Sequence, residues 1–341
     1  MDKAYWQCPH AALKKDALFN LSVIINFCSM GLNLGLLVLL ILLKGKARMF
    51  LHNFRAMGCA IVVHVFIRIC DRVIPSQLFP TDPFVAATLC YVWKSHYLSL
   101  VTYTFVVIIL YFTVGNRAIQ VVCRYQYSYS TSVIADLVHL FWMALLSTIF
   151  MVPQALIVQW DGKRCNCVDE GLKYEILVSL YTGNFVRFGL TAIIGTIILG
   201  ISCYKIIFWV RNTPSEQLSD TWNLLTLPGT TKEQMDSFSQ PQGWMTATLC
   251  TVPLSVNVIL ISIYETGYNF ICALGFCTVV IDSPTIKIDR LLADIQLIVL
   301  PITIFLYIPA LRELAMRVYR RLISLGMKLC MRGWRADDNG N

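Results

Sequence analysis

The chain has 341 residues, of which 57% are hydrophobic and only 14% charged, and its mean hydropathy is +0.62. Soluble domains carry about 25% charged residues, so this composition excludes an ordinary soluble enzyme or binding domain and puts the chain in a membrane. The net charge of +8 would suit a nucleic-acid partner, but the basic residues flank apolar runs instead of forming one face, and no nucleic-acid partner is expected.

In chain order, the apolar runs cover residues 21–43, 56–74, 84–114, 133–158, 176–210, 244–264 and 291–311. Each is at least about as long as the ~20 helical residues that cross the hydrocarbon core of a bilayer. Long uninterrupted runs, without short alternating segments, favour helices over a barrel. The expected fold is therefore an all-α membrane protein, a seven-transmembrane helix bundle over residues 21–311. A polar N-terminal segment, residues 1–20, precedes it, and no cleavable signal peptide is evident. Seven crossings put the two termini on opposite faces of the membrane.

Two basic clusters set the orientation. Lys44, Lys46, Arg48 and Arg55 lie between the first two runs, and Arg312, Arg317, Arg320, Arg321, Lys328, Arg332 and Arg335 follow the last. Basic flanks mark the cytoplasmic side, so the N-terminus is expected outside and the C-terminus inside, at the plasma membrane. Lys3, Lys14, Lys15, Lys163, Arg164 and Lys173 fall on the outer side against that trend. Asn20-Leu21-Ser22 is a glycosylation sequon in keeping with an outer N-terminus.

Between the runs, residues 211–242 are rich in Ser, Thr, Pro and Gly with balanced charge and are expected to form a mobile cytoplasmic loop. Residues 271–281 are apolar but too few to span, which points to an ordered outer loop or a helix extension. After the last run, Leu311, Leu314, Ala315, Val318, Leu322 and Leu325 recur at helical spacing, with Arg312, Arg317, Arg320 and Arg321 between them. The tail, residues 312–341, is thus expected to begin as a short amphipathic eighth helix lying on anionic membrane lipids, with Cys330 as a lipidation site.

Several short signatures occur in order along the runs. They are Asn33 in the first, Asn116-Arg117-Ala118 at the end of the third, and Trp142 with Pro153 in the fourth. Tyr204 comes in the fifth, Cys250-Thr251-Val252-Pro253 in the sixth and Leu300-Pro301-Ile302-Thr303-Ile304 in the seventh. In that order the chain resembles the rhodopsin-like G protein-coupled receptors, in a divergent, invertebrate chemoreceptor-like form. The departures are Asn116 for the acid and Ala118 for the aromatic beside Arg117, no tryptophan before Pro253, and no mid-span proline near Gly195 and Thr196.

The resemblance implies a receptor that binds an extracellular small molecule or peptide in the outer half of the bundle and activates a heterotrimeric G protein at the inner end. Switch and coupling positions would be Asn116, Arg117, Tyr204, Glu233, Thr251, Pro253 and Pro301. It also implies a disulfide from Cys90 to either Cys165 or Cys167, in an oxidising compartment. Cys90 stands about two residues further from Arg117 than is usual, so the start of the third span is altered.

Polar groups in the outer halves of the runs are the candidate ligand contacts: Lys94, His96, Tyr97, Arg187, Asn257, Tyr264, Arg290 and Asp294. Ionisable groups at membrane depth face the bundle interior or water. Arg187 and Asp294 could instead pair with each other or with Arg68. His64 lies near the family's sodium-binding carboxylate, a role an imidazole does not fill. The five His are scattered and no Gly-rich phosphate loop is present, so no catalytic site, metal or cofactor is expected. The alternative to a receptor is a seven-helix transporter or a ligand-gated chemoreceptor channel, with polar residues through the full membrane depth.

Overall fold

The computed structural model describes residues 6–7, 17–45, 48–73, 82–123, 133–162, 165–167, 174–212, 225–226, 247–273, 279–280, 284–308, 311–321 and 323–324. The architecture is an all-helical bundle. Among the described residues, six helical stretches are long and apolar enough to cross a membrane: Ala17–Leu42, Tyr97–Asn116, Val133–Ala155, Val178–Phe208, Cys250–Cys272 and Lys287–Tyr307. Outward faces of the helices carry large apolar side chains, among them Ile24, Phe66, Phe141, Ile197 and Leu260. Inward faces carry small polar ones such as Ser29, Asn33, Ser147 and Ser262. That arrangement inverts the soluble pattern and is the one a bilayer selects.

Helix α1 is Ala17–Leu42. Its last carbonyls are satisfied by Arg55 of α2, Arg48–Val73, whose guanidinium donates to Leu40 O at 2.8 Å and to Leu43 O at 2.6 Å. A cation here satisfies the orphan carbonyls and the negative end of the helix dipole together. α2 therefore begins eight residues before the apolar run at 56. Its polar first turns are stitched to neighbours: His52 Nδ1 lies 2.9 Å from Asp136 Oδ2, and Asn53 donates to Thr113 Oγ1 at 3.3 Å. α2 matches α1 in length and packs between α1 and the third long helix, but carries Arg55, Arg68, Asp71 and Arg72, and stands apart from the six apolar stretches.

The run expected over 84–114 is broken. The short helix α3, Pro83–Leu89, starts with Asp82 accepting from the Phe84 and Val85 amides and with Pro83 in the first turn. A π turn, Cys90–Lys94, comes next, and at His96 the backbone takes φ 60° before α4, Tyr97–Cys123. Ser95 holds the break, accepting from the Tyr97 amide through Oγ (3.1 Å) and from Gln154 through its carbonyl (3.1 Å).

α5 is Val133–Ala155. A hairpin then pairs β3, Val158–Trp160, with β4, Cys165–Cys167, around Gly162 at φ +91°, a conformation that favours glycine. Cys90 is disulfide-bonded to Cys165, which pins the hairpin to the top of α4; of the two partners left open by the sequence, Cys167 is not the one used. Cys272 is also disulfide-bonded.

α6, Tyr174–Asn184, runs through two π turns, Phe185–Gly189 and Thr191–Gly195, into α7, Thr196–Asn212. α8 is Ala247–Ala273 and extends nine residues past the apolar run that ends at 264. The residues that end that run, Glu265, Tyr268 and Asn269, face a cavity inside the bundle. α9 is Pro284–Tyr307, and a further helix, α10, covers 311–321, with Leu311 and Leu314 buried in the core.

Two further pairs of two-residue strands tie the ends together. β1, Trp6–Gln7, runs parallel to β6, Val279–Val280, and β2, Lys44–Gly45, runs antiparallel to β5, Leu225–Thr226. The segment expected to be a mobile loop is thus laddered to the first connection where it is described. The main core cluster fills the half of the bundle away from the disulfide, through Leu40, Phe54, Ile109, Leu110, Leu254 and Leu300.

Candidate functional site

At the disulfide end the helices splay around a cavity of about 270 Å³. α2 contributes His64 and Arg68; the broken start of α4 contributes Lys94, His96 and Tyr103; α6 and its π turn contribute Asn184 and Arg187. α8 supplies Glu265 and Asn269, α9 supplies Asp289, Arg290 and Asp294, and Ile157 and Val158 close one wall. Lys94 and Arg187 reach this space from π turns and His96 from the break before α4, while the other charged residues come from regular helices.

One end of the cavity is basic. Asp294 Oδ2 accepts from Ser22 Oγ (2.8 Å) and Asn26 Nδ2 (3.2 Å), and lies 3.5 Å from Arg68 and 3.9 Å from Arg72. Arg72 in turn donates to Ser22 Oγ at 2.5 Å. A carboxylate 1% exposed is costly unless paired; here one anion serves two guanidinium groups and joins α1, α2 and α9. His64 Nδ1 is 2.8 Å from Ser99 O, and a carbonyl only accepts, so that nitrogen bears the proton. His96 lies 3.5 Å from Asp71 and in the field of Arg290, Arg68, Lys94 and Arg72.

At the other end Glu265 and Asp289 lie in each other's field, with Arg187 acting on both and Arg290 on Asp289. Arg187 donates to Thr104 Oγ1 at 2.7 Å and to Asn184 Oδ1 at 3.0 Å, and sits 4.2 Å over the Phe188 ring. Asn184 donates to Asn269 Oδ1 at 3.1 Å, and Asn269 donates to Glu265 O at 2.7 Å, so α6 and α8 are latched beside the acids. Below the cavity, Tyr103 donates to Gln296 Oε1 (2.8 Å), which donates through Nε2 to Asn257 Oδ1 (2.9 Å). That three-residue ladder runs from the cavity wall at Tyr103 through α9 to α8.

Of the candidate contacts, Lys94, His96, Arg187, Arg290 and Asp294 meet in this space. Tyr97, Asn257 and Tyr264 are not among its walls: Tyr97 donates to Thr148 O, Asn257 belongs to the ladder, and Tyr264 stacks on Tyr268 with its ring centroid 6.3 Å away. Asp294 pairs with Arg68 and Arg72, not with Arg187. Glu265, Asp289 and Arg72 are site residues that the sequence reading does not single out. Their signal is present in it all the same: they are ionisable residues within or beside apolar runs, where such groups face inward.

Midway along the bundle, Asn33 Nδ2 donates to Leu297 O at 3.0 Å. Leu297 is four residues before Pro301, whose missing N–H would otherwise have bonded that carbonyl. Thr251 and Pro253 lie in α8, with Thr251 buried. Tyr204 is 69% exposed and stacks on Phe208, and Trp142 is also exposed, so both face out of the bundle. Asn116 and Arg117 lie in α4, but the side chain of Arg117 is outside the described residues, as are Glu233 and Cys330. Asn20 lies in the first turn of α1.

Compared with known proteins, the chain matches no protein-family model and no curated protein.

Proposed function

We propose that this chain is a seven-helix receptor of divergent rhodopsin-like type. It would take an extracellular ligand in the cavity at the disulfide end and activate a heterotrimeric G protein at the other, with no catalytic step and no cofactor. The observation that carries this reading is the one-ended distribution of polarity. Most of the buried charged side chains crowd around a cavity at one end, while in the remainder a core of Leu, Ile, Val and Phe holds only local polar pairs such as His52–Asp136 and Asn53–Thr113. A transporter needs a polar route through the whole depth. A receptor needs a pocket at one face and a deformable apolar core beneath it.

Chain parity supports a seventh crossing by α2. β1 precedes α1 and pairs with β6, which precedes α9; β2 comes after α1 and pairs with β5, which precedes α8. With α2 crossing, each pair falls on one side of the bilayer. Without it, both pairs would join opposite sides. The Asn33–Leu297 bond across from Pro301 supports the resemblance further, because two signature positions, Asn33 and Pro301, act on one carbonyl. In this reading the disulfide end is outside, the C-terminus is cytoplasmic, and α10 lies on the inner leaflet of the plasma membrane.

An epitope tag at the N-terminus tests the orientation: antibody should stain intact cells, and staining only after permeabilisation would overturn the reading. Crosslinking from Arg117 to a G protein α subunit, with nucleotide exchange as the readout, tests coupling. Absence of exchange with every G protein class, at full surface expression and with ligand bound, would overturn the receptor assignment.

A further inference from the structure

Two neighbouring groups on the cavity wall leave hydrogen-bonding capacity unused. His64 is 5% exposed, and its Nδ1–H is given to Ser99 O at 2.8 Å. In the neutral ring Nε2 is then an acceptor, and it makes no hydrogen bond among the described residues. It is not sealed off either, so it opens to the space that His64 lines. Arg68, one turn further along α2, lines the same space and makes no hydrogen bond among the described residues. Its Nη2 stands 3.5 Å from Asp294 Oδ2, outside hydrogen-bonding geometry. Residues four apart share a helix face, so α2 offers one acceptor and one donor side by side. Desolvated donors and acceptors without partners are costly, and a ligand group that pairs with both recovers that cost.

The charges around this pair are matched within the protein. Asp294 and Asp71 stand against Arg68 and Arg72, and Glu265 and Asp289 against Arg187 and Arg290. Lys94 and Arg290 have further interactions of their own. A ligand ion would enter with no counter-charge waiting for it, and an unpaired buried charge is costly. The wall contributed by α4, α5, the hairpin and α6 is apolar, through Leu100, Phe150, Met151, Ile157, Val158 and Leu180.

We infer that the cavity takes a compact uncharged amphiphile. Its head, a hydroxyl or carboxamide that both donates and accepts, pairs with His64 Nε2 and Arg68, and its apolar body lies along the wall from Leu100 to Leu180. The inference rests on the receptor reading for the cavity being reached from outside the cell, and adds the ligand class to it. A volume of about 270 Å³ sits at the lower edge of small-molecule pockets, ~300–1,000 Å³, which suits one short apolar body with a single polar head. A head that only accepts would satisfy Arg68 and leave the His64 lone pair stranded.

The test uses the full chain in lipid nanodiscs with isotopically labelled histidine nitrogens, read by NMR. The signal belongs to the protein, so partition of a probe into lipid does not mimic binding, and affinities are referred to the free probe. The probes are the n-alkanols from butanol through decanol and, at matched length, the n-alkanamides, the methyl ethers, which accept but do not donate, the n-alkylamines and the n-alkanoates. An alkanol or alkanamide of one length should shift the His64 Nε2 signal saturably. It should bind about tenfold tighter than the ether of that length, the factor set by one hydrogen bond to a buried acceptor. His64→Phe should bring that probe down to the affinity of the ether while leaving ether binding unchanged. His96, which lines the same space, reports occupancy in the variant. The comparison of alkanol with ether in the natural protein decides the matter should the variant not fold.

An ether, amine or alkanoate binding as tightly as the alkanols and alkanamides would overturn the inference, as would the lack of a saturable His64 shift with every probe. A bilayer lipid can carry the same hydroxyl, so discs with and without diacylglycerol are compared. A His64 shift from diacylglycerol alone supports the chemistry and assigns its source to a lipid; a shift only from the added probe assigns it to a soluble ligand. Binding without G protein activation would leave this inference standing and remove the receptor reading alone.

Discussion

Replacing Asn33 by Ala should destabilise the bundle, and Pro301 should control by how much. Asn33 Nδ2 splits its two hydrogens between Ser29 of its own helix and Leu297 O of α9, at 2.9 and 3.0 Å. The Ser29 carbonyl keeps its helical amide when the asparagine is removed. Leu297 O does not, because residue 301 is a proline. Stranding a buried carbonyl costs about 1–3 kcal/mol, while measured hydrogen bonds between membrane helices average only ~0.6 and reach ~1.7. A loss of about 1–2 kcal/mol is therefore expected for Asn33→Ala. In a Pro301→Ala background the backbone amide returns to Leu297 O, so the same substitution should cost roughly 0.5 kcal/mol, giving a coupling of about 1 kcal/mol. Unfolding by SDS titration of the four proteins in mixed micelles closes this cycle. Equal costs for Asn33→Ala in the two backgrounds would refute the idea that the asparagine stands in for the missing amide.

Asp294→Asn should lower stability by about 3–5 kcal/mol, the cost of stranding a buried cation, and Arg68→Gln added to it should recover part of that loss; cell-surface yield and thermal melting read both. Cys90→Ser and Cys165→Ser should each cost roughly 2–4 kcal/mol by releasing a bridge across a sequence separation of 75, read as a lowered melting temperature; non-reducing peptide mapping gives the pairing directly. On the receptor reading, the neutral Asn116 next to Arg117 in sequence predicts a weak inactive lock, so Asn116→Asp should lower ligand-free G protein activation several-fold; an unchanged basal signal would contradict this. Arg55→Ala should cost about 1 kcal/mol by uncapping α1, detectable as faster hydrogen exchange at its last turn.

The run of apolar helices is legible in the sequence, and so are most of the polar residues near their disulfide-end tips. Hydropathy reads polarity position by position, so it treats a polar residue turned into the bundle and one outside the membrane alike. For that reason it starts α2 at 56, although His52, Asn53 and Arg55 are helical and bonded to neighbours. For the same reason it ends α8 at 264, ahead of Glu265 and Asn269. Which way a residue faces is harder still. Each π turn adds a residue and rotates the rest of the helix by about 100°, and two of them precede α7. A linear spacing that brings Tyr204 into register with a signature therefore says nothing of its outward orientation. The Asn33–Pro301 pairing is different, because it answers a local necessity: a proline frees a carbonyl wherever it sits, and something must bond it.

The pairing of Trp6–Gln7 with Val279–Val280 also sets an order of events in biosynthesis. Most of the chain lies between the two strands, and at ~5–20 residues per second the first waits tens of seconds for the second to be made. The strand pair therefore forms only after every helix before α9 has been made. A chain stalled before α9 would hold Glu265 but lack Asp294, leaving Arg68 and Arg72 without their counter-ion, a state that quality control could recognise by its uncovered charge.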